Sequence, residues 1–288
     1  MFIIFINDLD EDLVNKLIKF ADDTKLWGRV DSQEQIDSMQ KDINTLELWS
    51  KKNCMPFNVE KCKVLYLGKK NCKNVYTLMG KLLTDATEEK DLGVTFNETF
   101  SPSINCNKVF KAAQGVIGLI RRNIRNRSKE GMLILYKTLV RPLIDYCSPV
   151  WRPHLKKDIN LVEKIQKRFT KMIDGCRKLK YEERLVKLNL TTIEARHQRL
   201  DMIQVYKVLN DRSNVYPKDF LKLSDRLGRK NSQKIYKKRV NKELSKYGFT
   251  FRAIDNWNEL PDRVVKAESV NGFKGEYDHL MREVGRRS

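Results

Sequence analysis

Residues 17–27, with the sequence LIKFADDTKLW, carry the acidic pair Asp22 and Asp23 between two apolar runs. This pattern predicts a β-hairpin that has the two carboxylates at its tip. Carboxylate oxygens are hard ligands for Mg²⁺, and an acidic pair on a rigid hairpin suits a two-metal displacement on a triphosphate. Acidic residues are also common in turns for conformational reasons alone, so a plain turn and a metal site both stay open on this stretch.

Other short motifs lie before and after this stretch in a specific order. They are FINDL at 5–9, FADD at 20–23, FNVEKCK at 57–63, DLGV at 91–94, LVRPLIDYC at 139–147, VWRP at 150–153, YEERL at 181–185 and WNELP at 257–261. In order and spacing the set resembles the palm and C-terminal region of LINE-type (non-LTR) retrotransposon reverse transcriptases, of the jockey-like and chicken-repeat-like kinds. The resemblance implies an RNA-directed DNA polymerase, a nucleotidyltransferase that uses Mg²⁺, an RNA template and a DNA primer.

The resemblance assigns catalytic and binding roles to five residues. Asp22 matches the metal-binding carboxylate, and Asp23 its neighbour in the same site. Lys61 matches the lysine that assists the leaving pyrophosphate, as a general acid or as a counter-charge, although an ordinary exposed lysine is the alternative. Leu92 and Gly93 match the turn of the hairpin that grips the primer, with a plain strand turn as the alternative.

The parts of the polymerase that precede the FADD motif in the family are not matched. Family members use a further metal-binding aspartate on an upstream strand, together with fingers that hold template and nucleotide. The carboxylates before Asp22 in this chain are Asp8, Asp10, Glu11 and Asp12. We therefore expect an N-terminally truncated enzyme that does not extend a primer by itself, with a palm that lacks some of its strands and core. The alternative is a non-catalytic nucleic-acid-binding remnant of a transposable element.

Positive charge is concentrated in the last two-thirds of the chain. Of the 288 residues, 1–100 carry 14 Lys and Arg against 17 Asp and Glu, whereas 101–288 carry 43 against 20. Such an excess attracts polyanions, of which nucleic acid is the commonest inside cells. A lysine-rich solvated surface is the alternative.

Two helices are predicted after the palm segment, at 104–122 and 129–140, from apolar residues at intervals of three and four. The loop between them holds an arginine cluster formed by Arg121, Arg122, Arg125 and Arg127. This arrangement resembles a helical thumb, whose arginines contact template–primer phosphates without reading sequence. A solvated basic loop is the alternative.

Two further helices are predicted in a small C-terminal domain. The first spans 158–175, with Asp158 as its N-cap, Gly175 as its stop and an apolar stripe that indicates a core face. The second spans 191–209, and Thr191 with Glu194 fits a capping box.

A basic segment at 225–246 is predicted to be a loop or linker that follows a nucleic-acid backbone, with a nuclear-localisation patch as the alternative. Its named candidates are Arg229, Lys230, Lys237, Lys238 and Arg239. The aromatic residues that follow are expected to fold back as an apolar clasp.

These interpretations give an α+β chain with a partial antiparallel palm at 1–100, a helical thumb at 101–155, a helical domain at 156–224, and a basic linker with the clasp at 225–288. The six cysteines contain no CxxC and no metal-ligand spacing, so free thiols are expected. The acidic residues directly after the apolar start argue against a signal peptide, and no stretch has membrane-spanning length. A nuclear or cytoplasmic protein is expected.

Overall fold

The chain forms two compact units, Met1–Ser101 and Pro102–Ser288. This computed structural model describes residues 2–68, 71–210, 221–224, 231–240 and 243–285. It combines many helices with small, mainly antiparallel sheets, which agrees with the predicted mixture of helix and strand. Because Ser101 is uncharged, the charge counts on either side of residue 100 apply unchanged to the two units.

The first unit contains short strands around one long helix. Its elements are α1 Phe2–Phe5, β1 Lys16–Phe20, β2 Asp23–Trp27, α2 Gln33–Lys52, a 3-10 helix at Val59–Lys61, β3 Lys63–Leu65, β4 Thr77–Leu78, β5 Lys81–Leu82, β6 Thr84–Ala86, β7 Glu88–Asp91 and β8 Val94–Asn97. In the described residues the strands form separate two-stranded sheets instead of one continuous palm sheet. Three of these pairs are antiparallel and the β3–β6 pair is parallel.

The helix α2 holds the core of the first unit. It begins at Gln33 because the Ser32 side chain accepts a hydrogen bond from the Gln35 amide. Its apolar face, including Met39 and Ile43, packs against Tyr66, Tyr76, Leu78 and half-buried neighbours.

The apolar residues at the start of the chain were expected to lack part of the core that normally covers them. They differ in how exposed they are. Ile4 is largely exposed, but Ile6 is buried. The side chain of Phe2 lies outside the described part of the chain.

The second unit is helical. Its elements are α3 Ser103–Asn123, α4 Lys129–Leu135, a π-helix at Tyr136–Val140, α5 Arg141–Asp145, α6 Ser148–Trp151, α7 Lys156–Thr170, α8 Tyr181–Leu188, α9 Ile193–Leu209, α10 Glu243–Tyr247, α11 Phe249–Asn258, α12 Asp262–Val265 and α13 Val270–Gly285. The predicted helix at 104–122 is confirmed. The predicted helix at 129–140 begins as an α-helix and widens into the π-helix.

The helix predicted at 158–175 has different ends. It spans Lys156–Thr170, and Leu155 occupies the N-cap position. The prediction that Asp158 is the cap is wrong because its carboxylate is buried in the first turn and accepts a hydrogen bond from Ser103 Oγ at 2.5 Å. Gly175, with φ +70°, lies in the turn beyond the helix. The apolar stripe is the buried face, as predicted.

The cap of the next helix is one residue later than predicted. Thr192, not Thr191, accepts a hydrogen bond from the Ala195 amide, at 3.2 Å. The Thr191 carbonyl instead accepts from the Gln166 side chain at 2.8 Å. The predicted capping box with Glu194 is therefore absent.

The closing aromatic segment folds back on α9, as predicted. Trp257, Leu260 and Phe273 are buried in one cluster with Met202 and Tyr206 of α9. Phe249 and Phe251 are half-buried.

Part of the segment predicted as an open basic loop is integrated into this core. Asn231 and Ile235 are buried, and Asn231 Nδ2 donates to the carbonyls of Trp257 and Leu260 at 3.1 and 2.9 Å. Ile235 also forms a β-bridge with Leu223. Residues 231–236 are therefore fixed to the fold, which corrects the linker prediction there.

Candidate functional site

The acidic hairpin forms as the sequence predicts. Strands β1 and β2 are antiparallel, and Phe20 pairs with Asp23 across a turn made of Ala21 and Asp22. Ala21 has φ +51°, a left-handed conformation that is costly for a residue with a Cβ atom. Both carboxylates are exposed at the tip.

The tip carries two exposed carboxylates, Asp22 and Asp23. Two carboxylates, with water and substrate phosphates, supply the oxygens that an octahedral Mg²⁺ takes. No group of three or more His, Cys, Asp and Glu side chains with metal-site geometry occurs in the part of the chain that the structure describes. The metal-binding role of Asp22 and Asp23 stays a prediction.

The second hairpin carries the residues that match the primer-gripping turn. Strands β7 and β8 are joined by Leu92 and Gly93, with φ +44° and +83°. Two consecutive positive φ values are typical of the tight turn that suits strand twist. An asparagine or glycine normally occupies the first position, whereas here a leucine with 44% exposure does. Costly backbone conformations of this kind concentrate at functional sites.

An ion pair joins the two hairpins. Lys25 of β2 contacts the Asp91 carboxylate at the end of β7, and their side chains are 33% and 31% exposed. Lys25 follows Asp23 by two residues, and Asp91 directly precedes Leu92. The structure thus brings together two motifs that are far apart in sequence.

A second lysine connects the acidic hairpin to the FINDL segment. Lys19 Nζ donates to the carbonyls of Ile6 and Asn7 at 3.1 and 2.8 Å and pairs with the Asp10 carboxylate. The hydrogen bond from Lys19 lowers the pKa of Asp10 below its usual value. FINDL and DLGV therefore each contact a lysine of the hairpin that carries FADD.

A buried aspartate positions the chain that enters β1. Both oxygens of the Asp42 carboxylate on α2 accept hydrogen bonds, from the Val14 amide at 3.1 Å, the Asn15 amide at 2.6 Å and Asn15 Nδ2 at 3.0 Å. The sequence gives no sign of this role for Asp42, because an acidic residue on a helix normally indicates an exposed face.

Lys61 lies at the end of the 3-10 helix, where its amide donates to the Asn58 carbonyl at 3.0 Å. Its side chain is exposed. Within the described residues its ammonium has no hydrogen bond or ion pair, including with Asp22 or Asp23. Its predicted role stays a prediction.

The arginine cluster of the second unit is at the end of α3. Arg121, Arg122 and Arg125 are exposed, and no acidic partner lies near them in the described chain. Arg127 is half-buried and donates to the Arg121 carbonyl at 3.4 Å. Three of the four arginines are therefore free to meet an external anion.

The second basic group of candidates is only partly described. Lys237 pairs with Asp255 at 2.5 Å, while Lys238 and Arg239 are exposed. Arg229 and Lys230 lie outside the described residues.

The VWRP and LVRPLIDYC motifs contribute to the core of the second unit. Arg152 and Arg252 both contact the buried carboxylate of Asp201, at 2.8 and 2.9 Å. Arg196 pairs with Asp145 at 2.5 Å. These ion pairs connect α9 to the two motifs and to α11, so their clearest role is in packing.

The YEERL motif also joins a buried polar network. Tyr136 donates to Gln166 at 2.5 Å, Gln166 donates to Tyr181 at 2.7 Å, and Tyr181 in turn donates to Glu163. Burial raises the pKa values of Glu163 and both tyrosines. The network has its partners within the protein, which indicates a structural role.

Nearby, His197 is buried against Trp151, and its Nε2 lies 3.0 Å from the Ile144 carbonyl. Burial lowers the pKa of His197 to about 4. The imidazole is therefore neutral at physiological pH.

Comparison with known protein families, with curated proteins and with solved structures finds no match for this chain. None of the helices in the described ranges is long and apolar enough to cross a membrane. The assignment of a function therefore depends on the motifs and contacts set out above.

Proposed function

We propose that this chain acts in RNA-directed DNA synthesis, as a portion of a non-LTR retrotransposon reverse transcriptase. The observation that carries the proposal is the Lys25–Asp91 ion pair. It joins the hairpin that ends in Asp22 and Asp23 to the hairpin that turns at Leu92. A polymerase needs a metal site beside a primer contact. In this proposal the first hairpin supplies the metal ligands and the second supplies the primer contact.

In this proposal the exposed carboxylates of Asp22 and Asp23 would hold Mg²⁺, which would supply charge neutralisation for the triphosphate and acidify the primer hydroxyl. Leu92 offers an apolar contact to the primer terminus. In a complete polymerase site, the Lys61 ammonium would donate a proton to the leaving pyrophosphate or neutralise its charge. The arginines of the second unit contact backbone phosphates and so fix the duplex without reading its sequence.

Two carboxylates fit one ion, whereas the two-metal reaction of the family uses a further aspartate. We therefore propose that this chain binds template–primer but does not extend it alone. The second candidate function, nucleic-acid binding without catalysis, is favoured by Arg121, Arg122 and Arg125, which are exposed and have no acidic partner among the described residues.

The test is primer extension on an RNA template with Mg²⁺, with template–primer affinity measured in the same samples. The Asp22→Ala, Asp23→Ala double variant is compared with an Asp31→Ala, Asp37→Ala control, which removes two exposed carboxylates elsewhere in the first unit. The proposal expects binding without extension for all three proteins. It also expects Mg²⁺ to bind the wild-type chain and the control more tightly than the double variant.

Extension by the wild type that the double variant abolishes would overturn the inactivity of the single chain and support the metal assignment. Equal Mg²⁺ binding by all three proteins would contradict the metal assignment. Absence of template–primer binding would contradict both candidate functions.

A further inference from the structure

The helices α3 and α7 lie side by side in the same direction. Near their N-termini Ser103 Oγ donates to Asp158 at 2.5 Å, and farther along Arg168 Nη1 donates to Gln114 Oε1 at 2.6 Å. Beyond their C-termini the Asp174 amide donates to the Arg127 carbonyl at 3.0 Å. The two residues of each contact are about fifty positions apart in sequence. The two helices are therefore parallel, and their C-terminal ends lie together.

This parallel packing brings cations from two distant segments to one place, here called the basic end. It consists of Arg121, Arg122, Arg125, Lys171, Arg177 and Lys178, all of them exposed. Lys187 of α8 lies beside it and donates to the Gly175 carbonyl at 3.0 Å. Asp174 is the one acidic residue in the sequence segments 121–127 and 171–178, so the charge of these segments is strongly positive.

Several arginines elsewhere in the second unit have acidic partners. Arg196 pairs with Asp145, Arg199 with Asp278, and Arg263 with Glu283. At the basic end, in contrast, none of the six cations has an acidic partner among the described residues. A cation or two at a helix C-terminus offsets the helix dipole, but six without acids exceed that need and repel one another.

We infer that the basic end binds the phosphate backbone of nucleic acid and that Lys171, Arg177 and Lys178 contact phosphates together with the arginine cluster. The inference rests on the proposed function and extends its binding surface to a second segment. Cations held close together without acidic partners repel one another, and a bound polyanion relieves that repulsion. Binding also releases counter-ions from the nucleic acid, which favours the complex. Contacts of this kind carry no sequence preference, so affinity depends on salt rather than on base composition.

The test measures the affinity of the full chain for a fluorescent RNA–DNA duplex at several salt concentrations. The basic-end variant is Lys171→Gln, Arg177→Gln, Lys178→Gln. Its matched control is Lys156→Gln, Lys157→Gln, Lys164→Gln, which removes three exposed cations from elsewhere on α7 and its N-terminal end. A third variant, Lys171→Arg, Arg177→Lys, Lys178→Arg, keeps the charge and tests for damage to the fold.

The inference expects the slope of log affinity against log salt to become shallower by about 2 to 3 in the basic-end variant, with at least tenfold weaker binding at low salt. The control and the charge-keeping variant should stay close to the wild type. Equal losses in the basic-end variant and the control would overturn the inference and leave the proposed function standing. No binding by the wild type would overturn both.

Vesicles containing acidic lipid serve as the competing polyanion. If the wild type binds them more tightly than the duplex and loses that binding in the basic-end variant, the surface is a membrane contact and the inference is wrong. The inference expects the duplex to be preferred.

Discussion

Lys25 on β2 and Asp91 on β7 form an ion pair across 66 residues of sequence. Each side chain is about one-third exposed, so water screens the pair only in part. This contact fixes the acidic tip relative to the turn at Leu92. Two-stranded hairpins are marginal on their own, so a contact between two of them matters more than it does within a large sheet.

The first prediction concerns the strength of this pair. Lys25→Met should lower the free energy of unfolding of the first unit by about 0.5 to 1 kcal/mol, measured by denaturant titration. A double-mutant cycle with Asp91→Asn should give a coupling energy of similar size. The more exposed Lys63–Glu89 pair provides the comparison and should give a smaller coupling. A coupling energy near zero for Lys25 and Asp91 would mean that they do not hold the hairpins together.

A second prediction concerns the strained turn. Leu92→Asn should raise the free energy of unfolding by about 0.5 to 1 kcal/mol because asparagine adopts positive φ more readily than leucine. If Leu92 contacts primer, the same variant should bind template–primer less tightly. More stability with weaker binding would show that the strain at Leu92 serves function. Higher stability with unchanged binding would show that Leu92 and Gly93 form an ordinary strand turn without a role in primer binding.

The third prediction tests the buried carboxylate of α2. Asp42→Ala should lower the free energy of unfolding by about 2 to 4 kcal/mol, because three donors of Val14 and Asn15 lose their acceptor. Asp37→Ala on the exposed face of the same helix is the control and should change it by less than about 0.5 kcal/mol. Similar effects of the two changes would show that the Asp42 hydrogen bonds contribute little.

The fourth prediction concerns pH. His197 in the folded chain has a pKa of about 4, below the unfolded value of about 6.5. Between these values the unfolded chain binds a proton that the folded chain does not, so unfolding becomes easier as pH falls from 6.5 towards 4. The contribution of neutral His197 to the free energy of unfolding is therefore fully present only above about pH 6.5. Lowering the pH from 7 to 5 should cost about 2 kcal/mol through His197 alone.

The matched variant for that measurement is His197→Gln, which keeps a donor for the Ile144 carbonyl but does not titrate. Other groups also contribute to the acid sensitivity of the wild type, including Asp10, Glu47 and Asp262, whose pKa values are lowered by their partners. The difference between the two proteins isolates the histidine. Parallel curves of stability against pH would contradict the prediction.

Local patterns predicted the features that depend on neighbouring residues. The hairpin around Asp22 follows from two apolar runs that flank turn-forming acids, and the buried face of α7 from its helical spacing. The wrong caps have a tertiary cause. The Asp158 carboxylate bonds to Ser103, which is distant in sequence. The Ile193 amide at the start of α9 donates to the distant Glu163 carboxylate, and Thr192 is the cap.

The contacts that organise the candidate site could not be predicted from the sequence, because their partners are also distant in sequence. Nothing near Lys25 indicates that Asp91 is its partner, since lysines on strands are usually solvated. The burial of Asn231 and Ile235 was not predicted because the residues around them in sequence are mostly basic and polar. Their two side chains nevertheless anchor this loop to the core. The chemical roles of Asp22, Asp23 and Lys61 remain predictions from the motifs.

The parallel arrangement of α3 and α7 also affects how the chain is made. Contacts such as Ser103 with Asp158 join residues 55 positions apart. A ribosome that adds about 5 to 20 residues per second needs about 3 to 11 s to supply the second partner. During that interval the apolar face of α3, with Ala113, Ile117 and Ile120, has no α7 to cover it. Nascent chains stalled before Thr170 should therefore depend on chaperones, whereas completed chains bury this face within their own fold.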